Sequence, residues 1–319
     1  MSQFVLPVPA LERWREGNTG VEGVWSFDAA EPGPQVLVTA LIHGNELCGA
    51  WAVLGVLQAG LRPRRGTLTL AFCNLDAFDR FDLADPDASR LADEDLNRVW
   101  GPGVAQRPAT REQRRALALL PFVERADWLL DLHSMSLPGP PLLLTGTQAR
   151  NVALARLLGT PAHIVVDAGH SEGRRMRDHG RFAAADAEAL SLLLECGEHG
   201  ELASRDVAID STARFLVASG CAAEGDIPMA WRCAAPGAQR VYEVTEAVTA
   251  RSANVRFADA WRTGQTIAEP GTLLGWNDEI AFHTPYPGCM LVMPSLRRLR
   301  PGATVVRLAR EVTAGPAGA

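Results

Sequence analysis

Between residues 35 and 220, short apolar runs alternate with longer stretches of helical periodicity. The runs "QVLVTALI", "TLTLAFCN", "WLLDLH", "PLLLTG", "HIVVD" and "LSLLLECG" are continuously apolar instead of alternating, the pattern of strands covered on both faces. Between and after them, "ELCGAWAVLGVLQAG", "REQRRALALLPFVERA", "TQARNVALARLLG" and "VAIDSTARFLVASG" are long enough for helices. This order predicts an α/β fold with a largely parallel or mixed central sheet flanked by helices. The texture then changes: "VYEVTEAVTA", "GTLLGW", "CMLVMP" and "TVVRLAR" are short runs separated by Gly and Pro, with no long helical pattern. A main domain over residues 1–225 and a smaller β-rich C-terminal domain over 226–319 are therefore expected.

Composition narrows the function. A chain of 319 residues that is 47% hydrophobic has ample material for a core without covalent staples. Its net charge of -6 argues against nucleic acid and anionic membrane as partners. Lysine is absent, so arginine carries all the fixed positive charge. The six cysteines form no C-x-x-C pair and read as reduced thiols. The N-terminus has no basic segment leading into an apolar core, and no apolar stretch approaches the roughly 20 residues that span a bilayer. A cytoplasmic address is expected, and homo-oligomerisation is left open.

Ligands of open α/β sheets bind outside the carboxyl ends of the strands. Polar residues that directly follow the apolar runs are thus the candidates: "HGNE" after residue 42, "DLHS" at 131–134 and "ECGEHG" at 195–200. The loop from Asn74 to Trp100, with "SRLADEDLNR", lies between the first two. Two histidines and a glutamate at one sheet edge form a His2Glu set that leaves a position on a tetrahedral zinc open to water. Such a zinc lowers the pKa of bound water to about 7 and polarises a carbonyl. A further carboxylate is needed to move the water's proton to the leaving amine, and Glu195 is placed for that. Each residue also has a structural reading: a turn for His43 and Glu46, a hydrogen-bonded strand end for His133. Glu195 is harder to dismiss, because an ionisable group closing "LLLE" is costly unless paired or functional. The combination carries more weight than any member.

"HGNE", the spacing R-x7-R from Arg90 to Arg98 ending in "DLNR", "DLHS" and "LLLECG" together resemble the succinylglutamate desuccinylase/aspartoacylase family, which is similar to the zinc carboxypeptidases. The likeness covers residues 35–200, and the β-rich tail looks like that family's C-terminal domain. It implies one zinc per chain on His43, Glu46 and His133, Glu195 as general base and acid, and Arg90 as the group that steadies the oxyanion. It further implies that Asn97 and Arg98 hold a substrate carboxylate, a role suited to a bidentate guanidinium. Asp131, two residues before His133, either orients that ligand or is a structural strand-end residue. Cys48 and Cys196 flank the site in sequence but read as inert thiols.

One departure stands before the catalytic glutamate. Ala185 occupies the position where aspartoacylase-like enzymes carry an arginine for the acidic side chain of their substrate, which puts N-acetylaspartate and succinylglutamate in doubt. Arg174, Arg175, Arg177 and Arg181 in "GRRMRDHGRF" offer an alternative anion contact or a solvated loop, the latter slightly favoured; Arg181 is carried as a substrate-binding candidate. His199 is likewise either a pocket residue or a loop histidine. The expected activity is zinc-dependent hydrolysis of a small N-acyl amino acid or related amine. The rivals are a zinc carboxypeptidase-like peptidase and a catalytically silent anion-binding protein. Serine hydrolysis is weaker, since no G-x-S-x-G elbow is present and Ser134 should point away from its neighbour His133.

Overall fold

The computed structural model describes residues 4–104, 108–234 and 236–312. One sheet of eleven strands forms its spine. Residues 24–198 supply β1 (Val24–Asp28), β2 (Gln35–Ala40), β3 (Thr67–Phe72), β4 (Trp128–Met135), β5 (Leu142–Leu144), β6 (His163–Val166) and β7 (Leu190–Glu198). Its central strands β3, β2, β4 and β7 are parallel neighbours, and β2, β3, β4 and β7 are buried almost end to end. This is the continuous burial that their unbroken apolar runs predict. Antiparallel pairing enters at β1 against β3 and at β5 against β7, so the sheet is mixed.

Helices cover both faces. On one side α1 (Leu47–Gln58), α4 (Ala149–Leu158) and α5 (Leu202–Ala218) pack into the larger core; on the other, α3 (Arg111–Arg125) contributes Ala116, Leu119, Phe122 and Val123 to a second. Helix α1 is apolar nearly all round because α5 covers the side the sheet does not. Gly49 sits where a Cβ would come within 2.7 Å of the Leu132 side chain, which lets α1 lie close on the sheet. A single-turn α2 (Leu75–Phe78) begins the loop that leads to the site, capped by the Asn74 side chain.

After residue 218 the described chain contains strands and short 3-10 turns only. The main sheet nevertheless continues through this region: β8 (Arg240–Thr249) adds parallel to β6, and β14 (Thr304–Val312), β13 (Cys289–Val292) and β10 (Thr266–Ile267) follow antiparallel. Only β9 (Val255–Phe257), β11 (Leu273–Asn277) and β12 (Ile280–His283) form a separate small sheet. The 225/226 division falls inside the 3-10 turn Glu224–Asp226, and the C-terminal strands share backbone hydrogen bonds with the main domain. All six cysteines are free, and no helix among the described residues is long and apolar enough to cross a membrane.

Candidate active site

Strand β2 ends at Ala40, and Leu41 leaves it at a φ of 58°, a left-handed conformation that non-glycine residues rarely adopt. The chain then turns sharply, and His43 and Glu46 stand at the carboxyl edge of the sheet. Gly44 has no alternative: a Cβ there would lie 2.4 Å from backbone atoms of Ala77, Phe78 and Ser89. Its amide donates to the Arg90 carbonyl at 3.2 Å and so fastens this turn to the loop that bears Arg90.

Strand β4 delivers the second histidine to the same edge. His43 Nδ1 lies 2.7 Å from Glu46 Oε1 and His133 Nδ1 lies 2.8 Å from Glu46 Oε2. The three donor atoms fall within 4.8 Å of one another, and all three residues are buried. Each imidazole has a carboxylate behind it: His43 Nε2 is hydrogen-bonded to Asp95 Oδ1 at 3.0 Å, and His133 Nε2 lies 2.9 Å from Asp131 Oδ2, an ion-pair contact without hydrogen-bond alignment. Asp131 is fixed in turn by the Thr39 hydroxyl, which donates to Oδ1 at 2.8 Å. Carboxylates behind metal-binding imidazoles set the tautomer and raise ligand basicity. Burial would raise the Glu46 carboxyl, but His43 and His133 outweigh it and hold it well below the usual carboxylate range. The donor set, its convergence and its outer carboxylates fit a zinc ion.

Glu195 arrives beside His133 because β7 pairs parallel with β4 in a register that sets these two residues opposite each other. It lines the cleft at 5% exposure, and its Oε2 has no hydrogen-bond partner among the described residues. Burial pushes its carboxyl up to about 8, against the pull of His133. Arg90 completes the group, its Nη1 donating to Glu46 Oε1 at 2.9 Å. Asn97 and Arg98 also line the cleft, a cavity of about 480 Å³ whose far wall is built by C-terminal residues including Met293, Arg298 and Arg307. The Asn97 side chain is anchored, with Oδ1 accepting from the Met176 amide at 3.0 Å.

Four sequence expectations need correction. Arg181 is exposed and pairs with Asp127 at 3.0 Å, just before β4 begins, so it lies at the strands' amino ends and not in the cleft. The 3-10 turn Gly180–Phe182 has by then carried the chain back toward the start of β7. His199 does not line the cleft. Its Nδ1 lies 2.7 Å from Ser134 Oγ and its Nε2 3.3 Å from Ser136 Oγ, so it meets the cleft through two serines that do line it. Burial lowers its imidazole to about 4. Ser134, expected to face away, reaches the cleft because the β4/β7 register shifts after His133.

Nor is "GRRMRDHGR" a solvated loop throughout. Arg175 and Arg177 are each 1% exposed and lock the loop onto Asp167, Asp178 and the carbonyl of Thr145. Arg174 and Ala185 are exposed. Cys48 and Cys196 are buried, and the Cys48 thiol donates to the His133 carbonyl at 3.6 Å. Two contributors escaped the sequence reading. Asp95 opens the "DLNR" motif and was legible as the third acid of "SRLADEDLNR", whereas Arg307, on a strand more than 100 residues from Glu195, carried no local signal.

The catalytic domain model of the succinylglutamate desuccinylase/aspartoacylase family matches residues 32–219. The succinylglutamate desuccinylase of Burkholderia lata is 26% identical, the match covering 95% of this chain and 88% of the relative. That of Burkholderia cenocepacia is 28% identical over 88% and 83%. Among solved structures, succinylglutamate desuccinylase from Vibrio parahaemolyticus superposes with a TM-score of 0.67 at 15% identity, covering 92% of this chain and 87% of that one. Murine aminoacylase 3 gives 0.59 at 17% identity, over 89% and 97%. At such identities these structures speak for the fold alone. The family model and the curated relatives define a hydrolase of the deacylase class. The chain belongs to the succinylglutamate desuccinylase/aspartoacylase family.

Proposed function

We propose that the protein is a zinc-dependent amidohydrolase that releases the acyl group of a small N-acyl amino acid or a related amine. The observation that carries this reading is the junction of two sets: a His43, Glu46, His133 cluster backed by Asp95 and Asp131, and beside it the buried carboxyl of Glu195, whose Oε2 has no hydrogen-bond partner among the described residues. A zinc ion held by the cluster would polarise the scissile carbonyl and make water acidic enough to react at neutral pH.

The remaining steps fall to side chains. Glu195 accepts a proton from the attacking water as its oxygen bonds to the carbonyl carbon. It returns that proton to the amide nitrogen as the C–N bond breaks, and the products are a carboxylate and an amine. Burial raises the Glu195 carboxyl against the pull of His133, and a cation held by the neighbouring cluster would favour the ionised form that accepts the proton. Arg90, within 2.9 Å of Glu46, donates to the oxygen on which negative charge develops. Arg98 serves the substrate carboxylate, with Asn97 beside it.

The cleft's size favours a small substrate over a polypeptide. At about 480 Å³ it is walled on the far side by Met293 to Ser295, and Arg297 and Arg298 of the C-terminal region bond to Asp87 of the main domain across its rim. Metal analysis of the purified protein, followed by a screen of N-acyl amino acids for amine release, tests the reading. One zinc per chain and turnover of at least one N-acyl amino acid are expected. Protein that neither binds zinc nor gains activity when zinc is added would refute it.

A further inference from the structure

Beyond the His43, Glu46 and His133 cluster, the cleft runs on to β14, where Arg307 lines its wall at 3% exposure. Arg307 and Arg98 converge on one imidazole. Arg98 Nη2 lies 3.2 Å from His170 Nε2, and Arg307 Nη2 lies 2.9 Å from both ring nitrogens. Burial, reinforced by Arg307, Arg98 and Arg175, depresses the His170 pKa and keeps the ring neutral, so it adds no third cation and compensates neither guanidinium.

The surrounding acids leave this end of the cleft short of negative charge. Arg98, Arg175, Arg177 and Arg307 share three aspartates. Arg175 takes Asp167 at 2.8 Å, and Arg175 and Arg177 share Asp178 at 2.5 Å each. Asp95 bonds to His43 and stands 3.9 Å from Arg98. Arg307 receives the remainder: its Nε lies 3.3 Å from Asp167 Oδ2 without forming a hydrogen bond, and among the described residues its hydrogen bonds go only to His170. A buried guanidinium with free donors, beside a second one, is a costly arrangement that an anion relieves. A carboxylate is the planar anion that such a fork fits.

We infer that Arg307 is a specificity-determining residue, which with Arg98 and the neutral His170 seats the carboxylate of the N-acyl amino acid. The identity of the anion rests on the deacylase reading; the seat itself does not. Arg175 is held by Asp167 and Asp178 through all three of its nitrogens, Arg177 is tied to Asp178, Thr145 and Ser191 away from the cleft lining, and Arg181 is at the wrong edge of the sheet, so the C-terminal strand supplies the second cation. Specificity would then be read jointly by the two halves of the chain.

The test uses full-length protein carrying Glu195→Gln, which prevents turnover, and isothermal titration with a panel of N-acetyl amino acids and their uncharged N-methylamides. With Arg307 present, at least one acid should bind tenfold or more tightly than its methylamide. Arg307→Met should abolish that preference and leave methylamide binding unchanged, while Arg307→Lys, which keeps the charge but loses the fork, should retain only part of it. Should the Met variant fail to fold, the Lys variant decides, since full retention of the preference there overturns the proposal. Absence of any preference in the parent, or equal weakening of acid and methylamide, also overturns it. Amine release from an N-acyl amino acid without this preference would sink the seat and spare the deacylase reading. The preference without turnover by the Glu195 enzyme would do the reverse.

Discussion

His133 and Glu195 are register partners across the parallel strands β4 and β7. Their backbones are therefore about 4.8 Å apart, and both side chains leave the sheet on the same face. One residue joins the His43, Glu46, His133 cluster that could hold a metal, while its neighbour bears an oxygen with no hydrogen-bond partner among the described residues. Glu195→Gln keeps shape and burial but cannot accept the water's proton. It should retain one zinc per chain and lose kcat by about 10²- to 10⁴-fold. Near-parental turnover with full zinc content would remove Glu195 from the role of base.

The outer carboxylates make a separate prediction. Asp95 is hydrogen-bonded to the far nitrogen of His43 and Asp131 is ion-paired with that of His133, and Nδ1 of both rings is turned toward Glu46. Asp131→Asn and Asp95→Asn are each expected to weaken zinc binding about 10- to 100-fold. Competition with a chromogenic chelator measures this directly. Unchanged affinity in both variants would mean that the metal does not sit on these histidines.

Glu112 has no chemical role in this scheme but decides where the chemistry stands. Fully buried in the first turn of α3, it accepts from the amides of Ala92, Asp93 and Glu94 at 2.6, 3.0 and 3.1 Å and from Asn74 Nδ2 at 3.1 Å. Those amides belong to the segment between Arg90 and Arg98. Glu112→Ala orphans them and should cost about 3 kcal/mol of stability together with a fall in kcat/KM. Urea midpoints and steady-state kinetics read the two effects. Lower stability with intact kcat/KM would limit Glu112 to a packing role.

Arg181 supplies the contrasting case. Its exposed pair with Asp127 is of the kind worth about 1 kcal/mol or less, and it stands at the end of the strands away from the cleft. Arg181→Ala is expected to leave kcat and KM within twofold of the parent. A tenfold rise in KM would return this arginine to the substrate site.

The parts of the fold and site that were legible in the sequence share a physical basis. Strands β2, β4 and β7 are covered on both faces, so their unbroken apolar runs marked both the sheet and the points where it ends. His43, His133 and Glu195 follow those runs directly, which is why three separate motifs predicted one edge. Asp131 was open to two readings, and its 2.9 Å approach to His133 is compatible with the orienting one. What stayed illegible depends on where loops return. Arg175 and Arg181 are six residues apart in one arginine-rich segment, yet one is buried against Asp167 and the other is exposed beside Asp127. Arg307 lies in "TVVRLAR", where nothing local separates a cleft residue from a solvated arginine, and only the pairing of β14 with β8 brings it to the site.

Acid should loosen the inner end of the cleft by a route that can be followed without turnover. Burial alone would raise the Asp167 carboxyl, but Arg307 and Arg175, with the Gly169 amide, hold it below the usual carboxylate range. The unfolded chain therefore binds this proton more tightly than the folded one. The stabilisation is fully present above the unfolded value near 4 and is lost as the pH falls through the lower folded value. Asp167→Asn removes the titration and strands part of the charge on Arg307 and Arg175, a defect of about 3–5 kcal/mol at pH 7. The difference in stability between parent and variant should narrow as the pH is lowered from 5 toward 3. Urea unfolding of both proteins with a chelator present, so that metal release does not contribute, measures the difference at each pH. A difference that stays constant from pH 7 to pH 3 would show that the Asp167 charge does not hold this end of the cleft together.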